Sequence, residues 1–184
     1  MKKYVFLLVS LFITFAIQAQ TEHLKFMGIP LNGTITQFQA KLATKGLVPN
    51  NKINQSIPVG CRAFSGTFSG EKANIYVYYN SKTKIVYRAK AVIQHDKDQV
   101  EFKLKNFVSL LQEKYTNSVG EDSEQDGYPS YSLVVLDNDG IKPLGIVGLY
   151  ISKSDYLYSE RFLHIDYEDY LNSESNKSSN MDDL

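Results

Sequence analysis

Two hydrophobic periods alternate along this chain, and they divide it into helices and strands. Ile35, Phe38 and Leu42 recur at the three- and four-residue steps of one helical face, and Thr34 followed by Gln37 is the pattern of a capping box at its start. Gly46 offers a left-handed stop with Leu47 as the apolar contact beyond it. The stretch 48–60 is polar, contains Pro49 and Pro58, and reads as loop. The period then changes to two. Phe64 and Phe68 alternate with small polar residues over 63–69, and Ile75, Val77 and Tyr79 alternate with Asn74, Tyr76 and Tyr78 over 73–80. Over 84–94, Ile85, Tyr87, Ala89, Ala91 and Ile93 alternate with Val86, Arg88, Lys90 and Val92. The turn-forming runs Ser69-Gly70-Glu71-Lys72 and Asn80-Ser81-Lys82-Thr83 join the three segments, which predicts an antiparallel meander.

The helical period returns after Asp98, which is placed to cap a helix with Glu101 reaching back. Val100, Leu104, Phe107, Val108, Leu111 and Tyr115 make its apolar stripe. Gly120 and the acidic stretch 121–127 end it, and three more strand patterns follow at 130–136, 144–152 and 156–167. Helix then three strands, twice, predicts an α+β protein. It reads as a single domain over 21–171, built of tandem αβββ halves at 21–96 and 97–171. Short connections keep consecutive strands adjacent, so the halves are expected to form one antiparallel sheet with the two helices on one face. An extended lead-in occupies 21–33, with His23 expected to be mobile. The segment 172–184, rich in Ser, Asn and Asp, is expected to be a disordered tail.

Residues 1–20 stand apart from this pattern. Lys2 and Lys3 precede an uncharged run over 4–17 and then Gln18, Ala19 and Gln20, the form of a cleavable signal peptide. The expectation is a periplasmic or secreted protein. No cysteine stands at the cleavage point for lipid attachment, and no later apolar run is long enough to span a membrane. Lys plus Arg and Asp plus Glu both number 20, and two of the lysines belong to the signal. A mature chain on the acidic side of neutral lacks the clustered cations that nucleic acid demands. Cys61 is the single cysteine, so stability must come from packing and hydrogen bonds, and it reads as a small half-buried residue beside the first strand. Tyrosine is abundant at 13 residues, with no tryptophan, which suits a sheet-rich binding surface.

Three segments are similar to a group of uncharacterised secreted proteins from gut Bacteroidetes: Phe26-Met-Gly-Ile-Pro-Leu-Asn-Gly-Thr34, Phe64-Ser-Gly-Thr-Phe68 and Glu113-Lys-Tyr115. The doubled helix-and-meander order resembles the β-lactamase-inhibitor-protein architecture, and each half resembles the outer-membrane assembly lipoproteins of the BamE type. These resemblances imply the fold and bring no activity or site residues. The disulfides of the first family and the lipidated cysteine of the second are both missing here.

Sheet geometry supplies the main candidate for function, because alternate residues point to opposite faces. With Ile75, Val77, Ile85, Ala89, Val147, Leu149, Leu163 and Ile165 facing the helices, the residues facing away are Tyr76, Tyr78, Arg88, Lys90, Tyr150, Tyr158, Glu160, Phe162 and His164. Aromatic bodies mixed with charged tips suit recognition of a protein or a glycan, with Arg88 or Lys90 orienting an acidic group. Asp137-Asn138-Asp139-Gly140 has the opening of a calcium loop, but Gly148 stands where the twelfth-position glutamate is required, so a strand-connecting turn is expected. Asp166, Glu168 and Asp169 near His164 are candidate paired carboxylates or metal ligands, yet neither His95 nor His164 can be supplied with a full ligand set from sequence. No metal and no cofactor are therefore expected. No Ser-His-Asp order, phosphate loop or paired-cysteine motif is present. The leading expectation is a non-enzymatic binding protein using the open sheet face. Two alternatives stand beside it: a structural module of an envelope assembly whose lead-in, 27–31, pairs with a partner's sheet edge and is dispensable for folding, and a hydrolase using carboxylates or His164.

Overall fold

Helix α1 (Ile35–Thr44) starts where its polar signature places it: the Gln37 N–H donates to the Thr34 hydroxyl at 3.4 Å and the Thr34 N–H donates to Gln37 Oε1 at 3.0 Å, closing the capping box. Ile35, Phe38 and Leu42 are its buried stripe. Gly46 takes φ +81°, and Leu47 beyond it is buried. This computed structural model describes residues 22–154 and 159–181. The expected signal peptide lies outside the described residues.

The segment expected as loop over 48–60 carries two short elements. Strand β3 (Val48–Pro49) pairs with Ser65 and Phe64, and the single-turn helix α2 (Asn51–Asn54) is capped by Asn50, whose Oδ1 accepts from the Ile53 N–H. The meander follows as β4 (Cys61–Phe68), β5 (Glu71–Tyr79) and β6 (Val86–Asp96), all antiparallel. Ser69 and Gly70 both adopt positive φ, 49° and 85°, as a two-residue primed hairpin turn requires. One correction concerns β6. The register shifts between Tyr78, which pairs with Arg88, and Tyr79, which pairs with Val86, so Val86 takes the core position expected of Ile85 and Tyr87 is left half-buried. From Ala89 onward the alternation is the expected one.

Helix α2 is followed in chain order, after the meander, by α3 (Val100–Lys114), which buries Val100, Leu104, Phe107 and Leu111. Gln99 rather than Asp98 occupies the N-cap, and its side chain makes no capping bond. Four strands come next, not three: β7 (Ser118–Gln125), β8 (Tyr128–Leu136), β9 (Pro143–Lys153) and β10 (Glu160–Asp169). The acidic stretch expected only to end the helix is β7 together with the Asp126–Gly127 turn, with φ 53° and 78°. β7 is an edge strand with no buried residue, so it carries no alternation of apolar positions, and its carboxylates guard an open edge.

The sheet has eight strands in the order β3-β4-β5-β6-β10-β9-β8-β7, with every ladder antiparallel. The central ladder runs from Glu160↔Asp96 to Glu168↔Arg88. Helices α1 and α3 bury their stripes in one cluster with Ile75, Val77, Ala89, Ala91, Leu163 and Ile165, so the chain is an α+β protein with its core on one side of a large antiparallel sheet. Among the described residues, no helix is long and apolar enough to cross a membrane.

Both flanking segments belong to this core. The lead-in folds as the hairpin of β1 (Lys25–Phe26) and β2 (Ile29–Pro30), turned by Met27 and Gly28 at φ 51° and 79°. It buries Leu24, Phe26, Ile29 and Leu31. The expectation of a dispensable arm free to pair with a partner is therefore corrected. His23 is not mobile either: its Nδ1 lies 3.1 Å from Asp169 Oδ2, and the same oxygen accepts from the Leu24 N–H at 2.9 Å. The tail expected to be disordered from Asn172 continues as helix α4 (Tyr170–Met181). Asn172 donates to the Leu31 carbonyl at 2.6 Å, its N–H donates to Asp169 Oδ1 at 3.0 Å, and Asn80 donates to Asn176 Oδ1 at 3.0 Å. These are polar anchors, which a search for apolar periodicity does not register.

Candidate functional site in the outer sheet face

The face of the sheet turned away from the helices carries the predicted side chains in adjacent rows. Register sets Tyr76 beside Lys90, Lys90 beside Asp166 and Asp166 beside Gly148. The next row sets Cys61 beside Tyr78, Tyr78 beside Arg88 and Arg88 beside Glu168. On the other side, Asn74, Val92, His164 and Tyr150 stand in line. Seven of the eight predicted residues are thus gathered: Tyr76, Tyr78, Arg88, Lys90, Tyr150 and His164 at the centre, and Phe162 one step along β10, opposite Ser152. Tyr158 lies outside the described residues.

These side chains hold one another. Arg88 donates through Nε to Asp166 Oδ1 at 2.8 Å and through a second guanidinium nitrogen to Asp166 Oδ2, a bidentate pair that raises the arginine's pKa, chiefly through the hydrogen bonding. The guanidinium also lies 5.0 Å from the centre of the Tyr78 ring. Burial pushes the Tyr78 hydroxyl up to about 12, so it remains a protonated donor across the physiological range. Lys90 places its ammonium 5.8 Å and 6.0 Å from the Tyr76 and Tyr78 ring centres and 3.5 Å from the Tyr150 hydroxyl. Burial lowers its pKa, against an opposing pull from Asp166, whose carboxylate is paired with Arg88. In the same row, beyond Asp166, Gly148 leaves open space, since a Cβ there would meet nothing within 4 Å.

Tyr150 and His164 stack with ring centres 4.4 Å apart and planes 4° from parallel. His164 Nε2 is 2.8 Å from the Ser152 hydroxyl, while its buried Nδ1 has no partner among the described residues. A serine and a histidine are thus in contact, but among the described residues no carboxylate orients the ring as nucleophilic catalysis of the triad type requires. The three C-terminal acids are dispersed: Asp166 pairs with Arg88, Glu168 accepts from Ser173, and Asp169 serves His23, Leu24 and Asn172. Among the described residues no three His, Cys, Asp or Glu side chains converge on a possible metal position. Asp137 to Gly140 form the β8–β9 turn, with Asp137 Oδ1 accepting from the Ile141 and Lys142 N–H groups.

Asp166, Gly148 and Ser152 complete the face: Asp166 stands in the sequence as a candidate carboxylate rather than as a member of this face, and Gly148 and Ser152 are not among the residues expected on it. Their parity with His164 and Tyr150 is the signal that places them there. Beyond Phe162 the face deepens into a groove of about 830 Å³ whose lining includes Ser65, Asn74, Val92, Gln94 and Glu160.

No family model, curated protein or solved structure matches this chain. Its function must be read from its own geometry.

The half-buried His164 predicts a pH response. His164 is pushed down from 6.5 to about 4, first by burial and then by Lys90, against an opposing pull from Asp166. The folded state refuses a proton that the unfolded chain accepts. This contribution to stability is complete above pH 6.5 and is lost as pH falls towards 4, with a slope of at most about 1.4 kcal/mol per pH unit. Urea midpoints for wild type and His164→Gln should diverge at pH 7 and converge near pH 4.5. Parallel curves would mean that the histidine titrates normally.

Proposed function

We propose that this chain is a secreted or periplasmic binding protein, without catalytic activity of its own, whose outer sheet face holds an acidic group of a protein or glycan partner. The observation that carries this reading is the Lys90 ammonium. It stands over the Tyr76 and Tyr78 rings with no close ion pair among the described residues, in the row that Gly148 leaves open beyond Asp166. An ammonium drawn from water without an ion pair costs free energy that a partner's carboxylate or sulfate can recover. The surrounding aromatic side chains are half-buried and braced by stacking, so little rotamer entropy is lost when a ligand presses on them. The polar groove beyond Phe162 extends the surface far enough for an extended ligand.

The strand order supports a further reading, that the domain consists of two αβββ halves, 21–96 and 97–171, meeting at the β6–β10 ladder. On either side of that ladder the strands run outward in mirrored chain order, β6-β5-β4 and β10-β9-β8. The outer face of such an arrangement is the surface on which we place the partner.

The test compares wild type with Tyr76→Ala/Tyr150→Ala and with Lys90→Gln, each first shown to melt as wild type does. Probes are an array of acidic and neutral glycans, and capture from the envelope and medium of the source cells. Both variants should lose at least tenfold in affinity for whatever the wild type holds, and the lysine variant should lose discrimination for acidic ligands. Equal binding by all three proteins would remove the outer face from consideration.

A further inference from the structure

On the opposite side of the sheet, a second site lies between the C-terminal end of α1 and the last turns of α3, over β10. Phe68, Phe107, Leu111, Ile165 and Tyr167 line a cavity of about 310 Å³ there, with Met27 and the exposed Leu110 at its rim. An apolar cavity of about 150 Å³ is enough to hold benzene, so this one has room for a longer hydrocarbon. It is also open, and its mouth has one sign of charge. Lys45 and Lys114 belong to the lining, which contains no carboxylate among the described residues. Lys25 is near enough for its charge to oppose that of Lys114. The Lys114 ammonium rests 4.6 Å from the Tyr115 ring centre and 5.9 Å from that of Tyr167, and it has no ion pair among the described residues.

Two features make this more than an imperfectly filled core. Core packing in proteins leaves few voids larger than a water molecule, yet here the gap is bounded by the Met27–Gly28 and Ser69–Gly70 turns and by Leu110 on the helix, which keep it accessible from solvent. The cations are gathered at the same end. A carboxylate at the mouth would neutralise Lys114 while its chain displaced water from Leu110, Met27 and the exposed edges of Phe68 and Phe107. We propose that this cleft binds a single-chain amphiphile with an anionic carboxylate head, the alkyl chain lying over Ile165 and Tyr167 and the head against Lys114 and Lys45.

Both lysines also sit at helix C-termini, where a cation offsets the carbonyl dipole. The experiment separates that role from ligand binding. Wild type, Lys114→Gln and Lys45→Gln are titrated, below the micelle threshold, with decanoate, decanol and decylamine, following methyl resonances of Met27, Leu111 and Ile165 by NMR. Decanoate should bind saturably and shift those methyls, with decylamine at least tenfold weaker. Lys114→Gln should weaken decanoate about tenfold and leave decanol unchanged. If decanoate fails to move these resonances, or if decylamine binds as well, the proposal is overturned. It is likewise overturned if Lys114→Gln lowers the melting temperature without changing decanoate affinity, because the lysine then serves only its helix.

Discussion

A chain lacking residues 22–33 does not fold. That segment contributes Leu24, Phe26, Ile29 and Leu31 to the core, and none of the four is more than 4 % exposed. At about 1.5–3 kcal/mol for each buried side chain, the loss is about 6–12 kcal/mol before any cavity term, which equals the whole stability of an ordinary domain. Phe26 stacks on Phe68 at 5.4 Å and meets Tyr167 edge-on at 5.3 Å, so its removal also unseats two rings. The polar connections are equally long-range. Asp169 is 1 % exposed and accepts from His23, Leu24 and Asn172, tying lead-in, last strand and final helix at one carboxylate. The truncated chain should show neither a cooperative urea transition nor near-ultraviolet tyrosine circular dichroism. Phe26→Ala alone should cost about 3–5 kcal/mol. A truncated chain that unfolds cooperatively near the wild-type midpoint would show instead that the hairpin is an accessory arm.

The second large effect is Gly145→Ala. A Cβ at this position would lie 2.2 Å from the Glu168 carbonyl oxygen, 3.1 Å from Leu24 Cδ2 and 3.2 Å from Asp169 Cα. The nearest obstacle is backbone in the paired strand, which cannot swing aside as a side chain does. Gly145 is also opposite Asp169 in the β9–β10 register, so any displacement is passed to the carboxylate that anchors both termini. We expect a loss of about 3–5 kcal/mol, at the upper end of single-substitution effects. Gly148 in the same strand is the control. Its Cβ would meet open space on the outer face, so Gly148→Ala should stay within about 0.5 kcal/mol of wild type. Two urea titrations decide the matter, and equal stabilities for the two variants would contradict the placement of β9 against β10.

Much of this architecture was legible in the residues. The α1 capping box, the α3 stripe, the period-two core of β5 and β10 and the division of the sheet into two faces depend on local spacing, and local spacing is preserved on folding. The elements that escaped lack that spacing. β7 has no buried face, β3 has two residues, and α4 is held by Asn172, Ser173 and Asn176 rather than by apolar side chains. Asp126–Gly127 is a strong hairpin signal for β7, set within an acidic composition that hides the strand's pattern. The β6 bulge displaces Ile85 from its expected place because ladder register depends on the partner strand as well as on the strand's own pattern.

Parity along each strand already places Tyr76 with Tyr78, Arg88 with Lys90, and Phe162 with His164 on one face. Which of these side chains meet depends on how the strands are ordered and registered. The β6–β10 ladder joins segments more than sixty residues apart, and through it Arg88 reaches Asp166 and leaves Lys90 without a close ion pair among the described residues. Alternation along one strand is a property of its own backbone, whereas strand order and register come from minimising exposed apolar surface and unpaired hydrogen bonds over the whole chain at once.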